Sequence, residues 1–112
     1  MTKKICVVGA GYWGKNHIRT LNRLKVLKGI VELDDNILNF FSNKYPGVNL
    51  HSSVKDALLE NYDGFIISTP AKTHFELAKI IINARKHLLI EKPLTLSVSE
   101  ARELVELAEK NK

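Results

Sequence analysis

The feature that most constrains the fold is a glycine-rich motif placed between a predicted strand and a predicted helix. Residues 4–8 form a short β-branched run, and residues 9–14, GAGYWG, fit the pattern G-x-G-x-x-G. Apolar residues then recur at helical spacing, with basic residues between them. Alone, the glycine pattern is only a common turn, but between a strand and a helix it is typical of dinucleotide binding.

Each glycine of this motif has a predicted part in holding a pyrophosphate. Gly9 permits a tight turn, Gly11 lets the backbone approach the phosphates without a Cβ, and Gly14 lets the helix pack closely. The amides of Tyr12 and Trp13 are predicted to point at the phosphates from the positive end of the helix. The side chain of Trp13 is predicted to pack in the core instead of contacting a ligand.

An acidic residue at the end of the second strand is predicted to hold the ribose hydroxyls. Such a residue lies about 20 positions after the glycines, and both Glu32 and Asp34 stand near that distance from Gly14. We favour Glu32 because it ends the apolar run, whereas Asp34 and Asp35 suit the cap of a following helix. Asp34 remains the alternative. A carboxylate there would repel a 2′-phosphate, which predicts NAD and makes NADP the less favoured cofactor.

Short apolar runs alternate with helical patterns along the rest of the chain. Strands are predicted at residues 4–8, 29–33, 48–51, 64–68 and 87–91. Of the intervening helices, the first is predicted to be closed by Gly29, and the others to be capped by residues 34–36, Ser53, Thr73 and Ser97. The last helix is predicted to have one apolar face, formed by Ala101, Leu104, Val105 and Ala108. This alternation predicts an α/β fold, a single-domain Rossmann doubly wound parallel sheet with helices on both faces.

Length and composition narrow the class of protein. A chain of 112 residues allows one core, and its 45% hydrophobic and 26% charged residues exclude a disordered or collagen-like chain. Its apolar runs are too short to cross a bilayer and its start has no secretory leader, so we expect a cytoplasmic protein. The single cysteine, Cys6, is interpreted as a small buried apolar residue.

The formal net charge of +5 is unevenly spread, because residues 1–28 contain many basic residues and no acid. Such a segment suits an anionic ligand, either a pyrophosphate or a nucleic acid. The recognition motifs and interleaved aromatic residues that would support a nucleic-acid partner are missing. We therefore expect neither a nucleic-acid partner nor a membrane partner.

Three motifs taken together carry a resemblance to a known family. They are GAGYWGK at residues 9–15, STPAKTH at 68–74 and EKP at 91–93. In these motifs and their spacing the chain resembles the N-terminal domain of the Gfo/Idh/MocA oxidoreductases. Its first motif is most similar to that of sugar-nucleotide dehydrogenases, which oxidise a UDP-linked amino sugar or its uronate. The resemblance implies hydride transfer between a nicotinamide cofactor and a hydroxyl of a sugar or sugar nucleotide.

The resemblance also implies which further residues meet the cofactor. Ser68, Thr69 and Pro70 would end the fourth strand beside it, and His74 would lie near its nicotinamide side. Ligands of such sheets bind at the carboxyl ends of the strands, where the strand order reverses.

The EKP motif implies a catalytic lysine. Glu91 and Lys92 would bind the cofactor, and Lys92 would also contact the substrate hydroxyl. A cation at that hydroxyl would help it to lose its proton while the cofactor takes hydride from the same carbon. No metal is predicted, since His17, His51 and His87 lack ligand spacing and are interpreted as structural.

Two departures from the family pattern affect what we expect of the chain. Arg85 stands where the family usually has a glycine, which weakens the expectation of a left-handed helix cap. The sequence ends at Lys112, before the family's substrate domain, so we interpret residues 1–112 as the dinucleotide-binding domain alone. We expect cofactor binding without turnover and an apolar surface near the EKP motif through which the chain would self-associate. The alternative function is a non-enzymatic NAD-binding or sensing module.

Overall fold

A computed structural model of the protein describes residues 3–111 and shows one parallel sheet. Its strands are β1 (Ile5–Val8), β2 (Leu27–Val31), β3 (Asn49–His51), β4 (Gly64–Ile67) and β5 (His87–Ile90). Their order in the sheet is β3-β2-β1-β4-β5, with every neighbouring pair parallel. The chain moves outward in one direction from β1 to β3, and then in the other from β4 to β5. This reversal places a crevice at the carboxyl ends of β1 and β4.

Helices cover both faces of the sheet, as the sequence predicts. They are α1 (Tyr12–Arg23), α2 (Asp35–Lys44), α3 (Val54–Ala57), α4 (His74–Asn83) and α5 (Val98–Lys110), with a 3₁₀ turn at Ala71–Thr73. Val7 of β1 faces the core formed with α1 and α2, whereas Cys6 and Val8 face the core formed with α3, α4 and α5. Because β1 is buried on both faces, it is apolar throughout, as is typical of a central parallel strand. The predicted Rossmann fold is confirmed.

Three of the predicted helix caps are present. Oδ1 of Asp34 accepts hydrogen bonds from two amides at the start of α2. The hydroxyl oxygens of Ser53 and Ser97 each accept from the amide three residues later. The predicted cap at Thr73 is wrong: its backbone is already helical and its hydroxyl donates to the carbonyl of Pro70 at 2.6 Å. A side chain in that conformation cannot reach the free amides ahead of it.

The predicted end of the first helix at Gly29 is also wrong. α1 ends at Arg23, and Lys25 makes the turn with a φ of 64°. The amides of Lys25 and Val26 donate to the carbonyls of Asn22 and Leu21, which closes a Schellman motif. Gly29 instead lies inside β2.

Gly29 is needed for packing inside the sheet. A Cβ at this position would overlap the ring of Tyr62, which is buried in the core. The space that a side chain would take is therefore occupied by an aromatic ring from a distant part of the chain.

The left-handed cap at Arg85 forms although the residue is not glycine. Arg85 has a φ of 59°. Its amide donates to the carbonyl of Ile82, and the amide of Lys86 donates to the carbonyl of Ile81. α4 thus ends in the same motif as α1.

The predicted apolar face of the last helix is buried only in part. Leu104 is buried and Ala101 is half-buried, but Val105 and Ala108 are exposed, and Leu107 packs against the core instead. α5 lies against α4. One apolar side of it therefore remains uncovered.

Candidate functional site

The glycine loop joins β1 to α1 at the crevice. Gly9 has a φ of 96°, a conformation that L side chains rarely adopt. A Cβ there would also lie 2.9 Å from the methyl of Thr69 and 3.0 Å from the carbonyl of Ser68. Glycine is therefore required at this turn by both backbone conformation and space.

The other two glycines of the motif differ in what surrounds them. A Cβ on Gly14 would overlap the carbonyl oxygen of Gly9, so the helix packs directly on the turn. A Cβ on Gly11 would meet no atom of residues 3–111 within 4 Å. The protein itself thus requires glycine at position 14, whereas at position 11 the space is open to a ligand.

The N-terminus of α1 opens into that space. Its N-cap residue, Gly11, provides no side-chain cap, and its first turn contains no acid. The amides of the first turn of a helix have no intrahelical acceptor, so those of Tyr12 and Trp13 are available to an anion.

The prediction that Trp13 packs in the core is wrong. The Trp13 side chain is 59% exposed and lies edge-on to Tyr12, with 5.5 Å between ring centroids. Gly14 and Ile18 form the buried side of α1. Since successive residues of a helix point about 100° apart, Trp13 is turned away from the core when Gly14 faces it.

Glu32 lies directly beside the glycine loop at the end of β2. One carboxylate oxygen accepts from the amide of Ala10 at 2.8 Å, and the other accepts from the amide of Asp34 at 3.0 Å. A carboxylate has about four acceptor positions, so further donors can be bound. Asp34 is instead engaged as the cap of α2. Of the two candidate acids, Glu32 is the one that touches the loop.

The segment after β4 packs against the same loop. The hydroxyl of Ser68 donates to the carbonyl of Gly9 at 3.0 Å. The hydroxyls of Thr69 and Thr73 lie 2.6 Å apart, and Pro70 leads into the 3₁₀ turn. Ser68, Thr69 and the glycine loop therefore form adjoining walls of the crevice.

His74 connects this segment to the EKP motif. Its side chain is 1% exposed, with Nε2 at 2.8 Å from the carbonyl oxygen of Thr69 and Nδ1 at 2.8 Å from that of Pro93. Both ring nitrogens are thus occupied by protein partners.

The EKP motif follows β5, and its peptide bond between Lys92 and Pro93 is cis. Glu91 pairs with His17 of α1, with 2.8 Å between Oε1 and Nε2. Lys92 is exposed. The motif therefore lies beside α1, whose first turn borders the glycine loop. Sequence reasoning had treated His17 only as structural, and no local pattern pointed to its partner.

Another histidine belongs to a separate network. His51 lies 2.7 Å from a carboxylate oxygen of Asp56 and 2.8 Å from the hydroxyl of Tyr62. Burial raises the pKa of Tyr62 to about 12. Within the described part of the chain, no three His, Cys, Asp or Glu side chains converge on a possible metal position.

An uncovered apolar surface adjoins the EKP motif, as predicted. Its exposed members are Leu89, Leu94, Leu96, Val98 and Val105. A hollow of about 750 Å³ between β5 and α5 continues this surface and is bordered by Arg85, Lys86 and His87. β5 is the outermost strand on this side of the sheet. No helix within residues 3–111 is long and apolar enough to cross a membrane.

Comparison with known proteins places this geometry in a family. A family model described as the Gfo/Idh/MocA oxidoreductase family, NAD-binding Rossmann fold, matches residues 3–112. UDP-N-acetylglucosamine 3-dehydrogenase of Acidithiobacillus ferrooxidans is 33% identical over 110 residues, which cover 92% of this chain and 32% of that protein. Glucose-6-phosphate 3-dehydrogenase of Bacillus subtilis is 29% identical over 110 residues, covering 96% of this chain and 31% of that protein.

The fold is shared with solved structures. GenD2 from gentamicin A biosynthesis, crystallised in complex with NAD, superposes with a TM-score of 0.91 and 27% identity, covering 98% of this chain and 32% of that one. The chain thus spans about a third of the length of these relatives.

Proposed function

Since the chain belongs to the Gfo/Idh/MocA oxidoreductases and forms their NAD-binding Rossmann domain, we propose that it serves an enzyme that moves hydride between NAD and a sugar or sugar-nucleotide hydroxyl. The observation that carries this proposal is the uncapped start of α1, which opens beside Gly11 into space left free by the protein. The named activities of the two relatives, on UDP-N-acetylglucosamine and on glucose 6-phosphate, support a sugar-derived substrate.

The glycine loop would bind the pyrophosphate and Glu32 the adjacent ribose. The amides of Tyr12 and Trp13 would donate to phosphate oxygens, which the positive end of the helix favours. The remaining acceptor positions of Glu32 would take the ribose hydroxyls. Because its negative charge opposes a 2′-phosphate, NAD is favoured over NADP.

The nicotinamide would lie beside Ser68, Thr69 and Pro70, at the walls where β4 ends. Bound NAD would supply the acceptor for hydride leaving the carbinol carbon. The ammonium group of Lys92 would donate a hydrogen bond to the hydroxyl oxygen and stabilise the negative charge that develops there as the hydroxyl proton passes to water or to a base of a second domain. Lys92 is the proposed catalytic residue.

We propose that the substrate is held only when a second domain is present. Positioning of a substrate against a reacting group can contribute about 7 kcal/mol or more to lowering the barrier. The uncovered surface beside β5 would contact that domain, and in the 112-residue chain it would support self-association. The expected location is the cytoplasm, where the buried thiol of Cys6 would stay reduced.

Calorimetric titration of the 112-residue chain with NAD and with NADP tests the cofactor assignment. We expect binding of NAD, weaker binding of NADP, and no reduction of NAD with UDP-sugars or glucose 6-phosphate. Failure to bind either cofactor would contradict the proposal. Lys92-dependent turnover by this chain alone would contradict the need for a second domain.

The alternative is a non-enzymatic NAD-binding module. It predicts NAD binding without turnover even when a relative's substrate domain is supplied. The proposed oxidoreductase predicts turnover under that condition.

A further inference from the structure

The segment that carries Lys92 is anchored by a histidine on each side of the lysine. On one side His17 of α1 pairs with the carboxylate of Glu91, and on the other His74 of α4 meets the carbonyl of Pro93, each at 2.8 Å. α1 and α4 lie on opposite faces of the sheet. The two anchors therefore hold the segment from both faces.

The segment has little secondary structure of its own to fix it. Residues 91–97 form neither helix nor strand, and they follow a strand at the edge of the sheet. The amide of Glu91 donates to the carbonyl of Ile67, which continues the β4–β5 pairing by one step. After Glu91, the carbonyl of Pro93 is contacted by His74, and the next described hydrogen bond runs from the hydroxyl of Thr95 to the carbonyl of Ser97.

The chemistry of His74 makes its link to Pro93 specific. A backbone carbonyl oxygen only accepts hydrogen bonds, so Nδ1 must carry a hydrogen to donate to Pro93. The carbonyl of Thr69 likewise only accepts, so the two contacts are hydrogen bonds at the same time only when both ring nitrogens carry a hydrogen. With its side chain 1% exposed, the imidazole has protein partners and almost no contact with solvent. A group without a donor at the Nδ1 position would remove the protein partner of the Pro93 carbonyl in this part-buried contact and leave its backbone less restrained.

We propose that His17 and His74 are positioning residues that fix Lys92 over the cofactor crevice. They would act by holding the backbone before and after it, and neither would touch the reacting atoms. His17 stands one helical turn after Trp13, so α1 would connect the pyrophosphate site and the lysine through one rigid element. The proposal rests on the function proposed above for Lys92.

Substitution of each histidine by Asn and, separately, by Gln tests which ring nitrogen makes the contact. The amide nitrogen of Asn reaches the place of Nδ1 in histidine, and that of Gln reaches the place of Nε2. The contact of His74 with Pro93 uses Nδ1, so H74N should keep it and H74Q should lose it. The contact of His17 with Glu91 uses Nε2, so H17Q should keep it and H17N should lose it.

Two measurements on the 112-residue chain report the result. Hydrogen exchange at the amide of Glu91, which donates to the carbonyl of Ile67, should quicken about fivefold or more in H74Q and H17N, which is the effect of about one lost hydrogen bond. NAD affinity should fall by a similar factor in these variants and in K92A. Affinity for ADP, which lacks the nicotinamide ribose, should stay unchanged. H17Q should resemble the unmodified chain in both measurements. H74N keeps the contact with Pro93 but not the one with Thr69, so it should resemble the unmodified chain in exchange at Glu91, and its NAD affinity should fall less than that of H74Q.

Exposed His87, which lies on β5, gives the control H87Q, for which no change is expected. Urea unfolding of every variant separates a local effect from loss of the fold. Equal exchange in the Asn and Gln variants of one histidine would overturn the anchor at that position. Quickened exchange with unchanged NAD affinity would overturn the positioning of Lys92 at the cofactor. If the unmodified chain binds neither NAD nor ADP, the proposed function fails, and the exchange data still decide whether the anchors exist.

Discussion

The glycine loop and the EKP segment meet in the same crevice, but they are held in place by different means. The loop has side-chain contacts from Glu32 and Ser68, but its shape is set mainly by sterics, since Gly9 has a left-handed conformation and Gly14 leaves no room for a Cβ. The EKP segment is fixed by side chains from α1 and α4. A substitution in the loop should therefore change the stability of the whole fold or the affinity for the ligand. A substitution at His17 or His74 should change only the mobility of the local backbone.

The largest expected effect is at Gly14. The packing of the protein itself requires glycine there, whereas at Gly11 only a bound ligand would require it. Gly14→Ala should lower the free energy of unfolding by about 3 kcal/mol, since the added methyl overlaps the carbonyl of Gly9. Urea unfolding measures this. The control is Gly47→Ala, whose Cβ meets no described atom within 4 Å and should change stability by less than about 1 kcal/mol. Equal effects of the two substitutions would show that the loop tolerates a side chain at position 14.

Gly11→Val should separate ligand binding from folding. We expect NAD affinity to fall by about 100-fold, or about 2.7 kcal/mol, because the side chain would occupy the space left for the pyrophosphate. The unfolding free energy should change by no more than about 1 kcal/mol, the cost of a poor N-cap. Calorimetry and urea unfolding on the same preparation check both. Retained affinity would mean that the glycine loop is only a turn.

Glu32→Ala should narrow the preference for NAD over NADP by about tenfold, because one negative charge near the ribose is removed. The ratio of the two dissociation constants measures this effect. Asp34→Ala is the matched control, since it should cost about 1 kcal/mol of stability as a lost N-cap and leave the ratio unchanged. A changed ratio in the Asp34 variant alone would assign the ribose to Asp34 instead.

The smallest expected effect is at Arg85, where a left-handed conformation is held by a residue other than glycine. Arg85→Gly should raise the free energy of unfolding by about 0.5 kcal/mol, because relief of the strained φ slightly exceeds the added freedom of the unfolded chain. Arg85→Ala should have no effect, since it keeps the strain. Thermal unfolding compares the two. A gain in the alanine variant would show that removal of the charge, and not of the strain, is responsible.

Features that depend on neighbouring residues could be predicted from the sequence. Burial on both faces makes β1 and β4 apolar, and the glycine spacing marks the loop between β1 and α1. The caps at Asp34, Ser53 and Ser97 were also predicted, because a cap bonds an amide two or three residues ahead. The caps and the glycine loop join residues a few positions apart, and the strands can be recognised from runs of adjacent apolar residues.

The predictions that proved wrong have both distant and local causes, since those at Thr73 and Trp13 depend on residues within the same short segment. Gly29 does not end a helix. Glycine is needed there because the ring of Tyr62, from a later segment, fills the space that a side chain would take. Trp13 is exposed because Gly14, its neighbour, must face the turn at Gly9. Val105 carries an apolar side chain that the described residues cover only in part, since it is 53% exposed.

The sequence by itself determined the Rossmann fold and the glycine loop, because both are specified by the pattern of residue types along the chain, and it left Glu32 and Asp34 as the two candidates for the acid beside that loop. Only the tertiary structure decided that Glu91 pairs with His17 and that His74 holds the carbonyl of Pro93. The partners of the first pair are 74 positions apart and those of the second are 19 apart. Contacts over such separations depend on how the helices pack on the sheet, and no local pattern of residues records that packing.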